Sequence, residues 1–312
     1  MKRLIYIVSI SLLVLTCNKK DDDSSSGDNG SISFEMLIGG PGSELGKFDL
    51  LGNIWPNRFA VTSDHLYIRD EGNNRVQRFD MTMNAVDWHG YIYGEGYGYR
   101  TDNKAGDDGI KNIQIRNGHL YLFDAFLGSV TILKTDISSG DTVKTMKIGN
   151  PGTFYGKENF AVDNGGHIYI QFDNKMYKYD EGGNEVLSYE ANSIYFTLDD
   201  DDNLYISDAS NIAQSGQYDI KKFDSNGNLI TSWTAGYYID AILDFYNGKL
   251  YAYSVSPSNK IIQFSTSGNS LKSWSAPSTD MVNARYFKVL DGRIIFPSTD
   301  DHTFAVYKMT GQ

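Results

Sequence analysis

The 312-residue sequence predicts an all-β protein, a six-bladed β-propeller of four-stranded antiparallel blades, on three observations. A pair of short apolar strands joined by a tight turn, HLYIRDEGNNRVQRFD at 65–80, recurs five times in degraded form, beginning at 119, 167, 203, 249 and 293. The copies begin on average about 46 residues apart, which is the length of one propeller blade. Helical signals are nearly missing, since no segment repeats apolar residues at i, i+3, i+4 and i+7, whereas 22 Tyr and 16 Phe suit a strand-rich chain. Six blades account for almost the whole length, so one folded, monomeric domain at 31–312 is expected.

The formal charge is −11, and removing residues 1–16, which hold Lys2 and Arg3 but no acid, takes it to −13. Nucleic-acid binding needs a positive patch, and no Lys/Arg cluster occurs in the folded region, so a phosphate backbone is excluded as a partner. The acidic excess serves solubility.

Residues 1–16 read as a signal peptide: two basic residues precede an uncharged run from Leu4 to Thr16, shorter than the roughly 20 residues needed to span a bilayer. The only cysteine, Cys17, follows directly. VLTC at 14–17 resembles the lipidation site of bacterial lipoproteins, which implies an acylated Cys17 and attachment to a membrane. The alternative is a cleaved secretory signal with an incidental thiol. A single cysteine at this place leaves the folded part without a disulfide, a Cys-ligated metal or a thiol nucleophile.

Residues 17–30 continue as a polar tether without an apolar side chain after the cysteine, a coil that spans on the order of 20 Å. Its run Lys19-Lys20-Asp21-Asp22-Asp23 resembles the surface-export signal of Bacteroidetes lipoproteins and implies an outer-membrane protein facing outwards. A solvated linker on a periplasm-facing domain is the alternative.

SISFEMLIGG at 31–40 has no strand before it to pair with, yet looks like the last strand of the other repeats, such as NLITSWTAG at 228–236. The chain stops where the sixth copy needs its fourth strand. The N-terminal strand is therefore expected to complete the last blade, burying its Phe34, Met36 and Ile38 side and closing the ring. From 39 to 80 the spaced glycines, GKF, a Pro before the inner strand, Asp70 and the NNR run resemble the NHL repeat. The resemblance implies that Asp70, Asn74 and Arg75 tie a turn between strands.

In each blade, read as inner strand a to outer strand d, the a–b and c–d turns are short. The long connections, 41–57, 89–109 and 208–218, all fall on the opposite face, the candidate binding surface. On it HGYIYGEGYGYR carries Tyr91, Tyr93, Tyr97, Tyr99 and Arg100, suited to stacking on a sugar or peptide, or forms a loop without a ligand. Alternation along strand a assigns Arg58, Asn112, Gln114, Asn159, Tyr195, Thr197, Asp244 and Lys288 to the central hole, as solvated lining or as a site. Of these, Arg58, Asn112, Asn159, Tyr195, Asp244 and Lys288 are binding candidates.

Six-bladed relatives include calcium-dependent lactonases and a zinc-dependent amidating lyase. For calcium, Asn112, Asn159 and Asp244 are the available oxygen ligands, without a glutamate among them. For zinc, His65, His119 and His167 occupy equivalent a–b turns in three blades and cannot converge on one ion, and His89 and His302 stand alone. No Ser/His/Asp arrangement or phosphate-cradling glycine motif occurs, and no cofactor beyond calcium is implied. Three functions follow: a surface-anchored module binding a protein, peptide or glycan, a calcium-dependent hydrolase or lyase, or a structural subunit of an outer-membrane assembly.

Because Cys17 precedes a tether and has no core to pack in, Cys17→Ser is expected to leave the domain folded but release it from membranes. Fractionation checks this, and a Cys17→Ser protein that still sediments with membranes rejects lipidation.

Overall fold

The computed structural model describes residues 30–49, 59–70, 73, 75–90, 110–126, 129–148, 159–172, 174–191, 193–208, 210, 217–235, 243–254, 259–276, 287–297 and 303–311. The described residues form 24 strands in six four-stranded antiparallel sheets, the six blades expected from the repeats. Strand β1 (Ile32–Gly39) comes first and stands apart from its sequence neighbours. Blade 1 is β2 (Phe59–Val61), β3 (His65–Asp70), β4 (Arg75–Asp80) and β5 (Ala85–Gly90); blade 2 is β6 (Ile110–Arg116), β7 (His119–Phe126), β8 (Ser129–Asp136) and β9 (Thr142–Ile148). Blade 3 is β10 (Phe160–Val162), β11 (Ile168–Phe172), β12 (Lys175–Tyr179) and β13 (Glu185–Glu190); blade 4 is β14 (Ser193–Leu198), β15 (Leu204–Asp208), β16 (Asp219–Phe223) and β17 (Leu229–Thr234). Blade 5 is β18 (Leu243–Tyr246), β19 (Lys249–Ser254), β20 (Lys260–Phe264) and β21 (Ser270–Ser275). Blade 6 is β22 (Lys288–Leu290), β23 (Arg293–Pro297) and β24 (Thr303–Met309), completed by β1. The six inner strands touch one another in a closed circle, β2–β6–β10–β14–β18–β22–β2.

The burial pattern follows from blades that stand radially, so that each sheet face meets a neighbouring blade. Strand β15 is buried along its whole length, whereas the outer β13 and β17 alternate exposed and half-buried residues. The core is accordingly six layers, one per seam. Tyr67 and Val76 of blade 1 pack with Ile113 and Leu122 of blade 2, and Tyr251 and Trp274 of blade 5 pack with Phe287 and Tyr307 of blade 6. The last seam joins Phe59 and Phe79 of blade 1 to Phe304 and Val306 of blade 6, with Phe48 wholly buried between them against the Phe79 and Phe304 rings.

A repeated c-strand device stiffens the blades. In blades 2, 3 and 4 a lysine of strand c lies directly opposite a b-strand tyrosine: Tyr121 faces Lys134, Tyr169 faces Lys178 and Tyr205 faces Lys222. Each ammonium lies 5.0–5.7 Å from its ring, within cation–π range. Lys178 and Lys222 also pair with the buried a–b turn carboxylates Asp163 and Asp199, at 3.1 and 3.2 Å. Asp199 is thus a buried structural anion. Burial first, then the Asp199 charge, pushes the Tyr205 hydroxyl far above its ordinary pKa.

Four of the five c–d turns, those of blades 1, 3, 4 and 5, share one construction. An Asp (or Ser265) at the end of strand c accepts from the backbone N–H four residues on, as Asp180 does from Asn184 and Asp224 from Asn228. The residue before that Asn has a positive φ. It is Gly183, Gly227 and Gly268 in blades 3–5 but Met83, at φ 66°, in blade 1. A Cβ on Gly268 would sit 2.5 Å from the Trp233 ring of blade 4, so turn and outer strand interlock between blades. Met83 occupies the strained conformation with its side chain buried in the seam to blade 6. The turn carboxylates titrate low. The Ser138 hydroxyl, then the Ser139 and Ser138 N–H groups, hold Asp136 down to about 2. Such groups stabilise the fold above the unfolded value of about 3.9, and that contribution is lost as pH falls through their folded values.

Ring closure takes the expected form with one correction. Strand β1 pairs with β24 from Ile32↔Met309 to Gly39↔Thr303. A bulge between Phe34 and Met36 changes which face each side chain occupies. Ile32 packs into the seam with blade 5, and Phe34 lies edge-on to Tyr307 of that seam; Met36 and Ile38 pack into the seam with blade 1. Phe34 is 57% exposed, so the buried side is not the single Phe34/Met36/Ile38 row that alternation predicts. The bulged Glu35 binds Arg293 through both oxygens, at 2.9 and 3.2 Å.

Deleting residues 31–40 is expected to lower Tm by roughly 10 °C or more. Ile38 alone is worth about 1.5–3 kcal/mol, and β24 is left as an open edge. Thermal melts check this, and an unchanged Tm rejects closure by β1.

Candidate functional site

Between the inner strands lies a central cavity of about 470 Å³. Its wall draws on all six blades because every inner strand borders it. Phe59, Phe160, Phe196, Leu243 and Phe287 pack into the seam with the preceding blade. The intervening residues therefore point to the following blade as well as to the hole. Gln114, Asn159, Tyr195, Thr197, Asp244 and Lys288 line the cavity together with the apolar Leu243, Phe245 and Phe287, while Asn112 is fully buried and does not. Arg58, Tyr91, Tyr93, Tyr97, Tyr99 and Arg100 lie outside the described residues, as do Cys17, Asn74 and His302.

Several of the polar groups staple one blade to the next. Asp244 accepts from Lys288 Nζ at 2.7 Å and from the Val289 N–H at 2.8 Å, so both its oxygens serve blade 6. Asn159 donates from Nδ2 to the Phe196 carbonyl of blade 4 at 3.3 Å. These contacts depend on which strand of the next blade lies beside each inner strand, which strand alternation does not encode.

The chemistry open to Asn112, Asn159 and Asp244 follows. They stand in blades 2, 3 and 5, Asn112 is off the cavity wall, and the Asp244 carboxylate is committed to an ammonium and an amide. This donor set does not fit calcium as folded, because calcium takes six to eight oxygens including free carboxylates. Among the described residues no three His, Cys, Asp or Glu side chains converge on one point. The turn histidines bond locally, His65 to Asp64, His119 to the Asn117 carbonyl and His167 to Asp163.

At the end of the channel formed by a–b turns, three blades are linked by a polar chain that sequence reading misses. Arg116 of blade 2 donates to the Asp199 carbonyl and to Asp202 of blade 4, both at 3.0 Å. Asn117 reaches the Asn164 carbonyl of blade 3, and Asn164 in turn donates its N–H to Asp202 and its amide to the Asp200 carbonyl. An Asn-Gly turn at 117–118, with both φ positive, was the available signal for the tight hairpin but not for its partner two blades away.

Residues 42–49, the first part of the long 41–57 connection, are pinned to blade 1. Asp70, fully buried, accepts from Arg75 Nε at 2.7 Å, from Gln77 and Asn73, and from the Asp49 N–H at 2.8 Å. Arg75 also donates to the Glu44 and Lys47 carbonyls, and Gln77 accepts from the Gly46 N–H. Asp70 and Arg75 are thus structural, as the NHL resemblance implies. They hold residues 42–49 on blade 1 so that Phe48 enters the seam.

No protein-family model matches the sequence, and no curated protein matches it. Solved structures with the same fold include a streptogramin B lyase (15% identity, TM-score 0.52, covering 82% of this chain and 84% of that one). The PQQ-bound aldose sugar dehydrogenase of Streptomyces coelicolor has 10% identity and TM-score 0.55, covering 90% and 98%. A protein of unknown function from Bacteroides caccae has 10% identity and TM-score 0.51, covering 72% and 84%. At these identities the likeness is one of fold.

Removing Asp244 leaves Lys288 and the Val289 N–H unpaired in the channel wall. Asp244→Ala is expected to cost about 3 kcal/mol or more, and Asp244→Asn less, because an amide oxygen still accepts from Val289. Urea midpoints check this, and equal stability of all three proteins refutes the staple.

Proposed function

We propose that the protein is a binding module anchored at the outer-membrane surface through Cys17, recognising a protein, peptide or glycan with its long-loop face and channel mouth. The observation that carries this reading is that, apart from the exposed Asp200, the carboxylates and lysines lining and buttressing the channel are engaged in structural pairs. Asp244 holds Lys288, Asp163 holds Lys178 and Asp199 holds Lys222. A nucleophile or general base needs a group poised to exchange protons with a substrate, and groups locked in structural pairs serve rigidity instead. A rigid scaffold presenting variable loops is the arrangement of a recognition protein.

Topology supports the same orientation. Strand β1 begins beside the end of β24, where the Thr310 N–H donates to the Ser31 carbonyl and the Met309 N–H to Gly292 in the a–b turn of blade 6. The tether therefore joins the domain on the face of the short turns. In an anchored protein the long connections then lie on the side away from the attachment point.

Tyr97→Ala and Tyr99→Ala combined with Arg58→Ala are expected to abolish binding on glycan and peptide arrays with Tm nearly unchanged, because aromatic and Arg anchors dominate recognition energy. His119→Ala, on the turn face, is the silent control. Loss of binding in the control with none in the loop variant reverses the assignment of faces.

A further inference from the structure

The cavity wall divides its hydrogen-bonding groups into two classes. Its charged members cancel, two cations (Arg116, Lys288) against two anions (Asp200, Asp244). Three of the four are engaged with protein groups, Arg116 with Asp202 and Lys288 with Asp244. The fourth, Asp200, is exposed at the a–b turns. The neutral members differ. The side chains of Gln114, Thr197, Ser63 and Asn247 line the cavity, and none has a hydrogen-bond partner among the described residues. Each carries a group that both donates and accepts. The half-buried Tyr195 and Tyr246 join them on the wall, Tyr195 from blade 4 and Tyr246 from blade 5.

We infer that the central cavity of the channel binds a neutral carbohydrate ring of one or two residues. This rests on the reading of the protein as a recognition module and names the ligand of a second site on it. Sugar hydroxyls need partners able to donate and to accept, and amide and hydroxyl side chains supply both. The apolar face of a pyranose packs on aromatic rings. Both wall cations are already paired, so an anionic ligand meets no uncompensated partner, and desolvating its charge disfavours it. The volume lies within the range of small-molecule sites, about 300–1,000 Å³.

Ligand-observed saturation-transfer NMR on the full chain in a sugar-free detergent tests this. The probes are glucose, galactose, N-acetylglucosamine and cellobiose, with glucuronate and glutamate as charged comparators. At least one neutral sugar is expected to bind, more tightly than either comparator. Gln114→Leu and Thr197→Val, which keep shape and remove hydrogen bonding, are each expected to weaken it about tenfold, or about 1.4 kcal/mol, at unchanged Tm. Tyr195→Phe, retaining the ring, is expected to bind nearly as well as the unaltered protein, and Tyr195→Leu is not. Failure of every neutral sugar at tens of millimolar, tighter binding of a charged comparator, or indifference to the Gln114 and Thr197 changes overturns the chamber. Sugar binding that survives those changes but is lost with Tyr97 and Tyr99 overturns it too, while leaving the loop-face reading intact.

Discussion

The pairing of β1 with β24 is the contact on which the ring depends. Every blade in this chain buries its apolar faces only against its two neighbours, so a ring of six blades has six seams and an open arc has five. Without β1, blade 6 loses its outer strand, and the seam with blade 1 loses Ile38 and Met36. The bulge at Glu35 adds to this role. By turning Ile32 to one face and Met36 and Ile38 to the other, it lets one strand contribute to the two seams that flank the join. The Glu35–Arg293 pair sits at the bulge itself.

Inside the ring, cohesion between blades changes character with radius. Near the axis, where inner strands are short, polar staples such as Asp244 to Val289 bridge neighbours. At mid-radius the seams are aliphatic and aromatic. At the periphery, outer-strand aromatics lie under the c–d turn of the next blade, Tyr189 against Gly227 and Trp233 against Gly268. The ion pairs Asp163–Lys178 and Asp199–Lys222 lock a–b turns to c strands and are nearly fully buried. Buried pairs of this kind contribute little net stability over an apolar replacement, but breaking one partner is costly. Their role is to hold the short-turn face in one geometry.

That rigidity bears on function. The turn face is cross-linked by Arg116, Asn117, Asn164 and Asp202, and the Asp70 cluster fixes residues 42–49 on blade 1. The described ends of the inner strands are thus held in a frame in which Arg116, Lys288 and Asp244 already have partners. On the proposed reading, recognition falls to neutral hydrogen-bonding groups and aromatic rings.

Blade number, strand order and the identity of the closing strand were legible in the sequence, because they rest on local signals: period-two apolar runs, Asn-Gly and Asp-x-x-Gly-Asn turns, and a repeat length. The structural duty of Asp70 and Arg75 was legible for the same reason, since the pattern around them is contiguous. Only the tertiary structure decided that Asp244 and Asn159 reach the following blade, that Arg116 crosses to blade 4, and that Phe34 is exposed. The packing of one blade beside the next and a one-residue bulge fix these contacts. Neither leaves a trace in residue spacing.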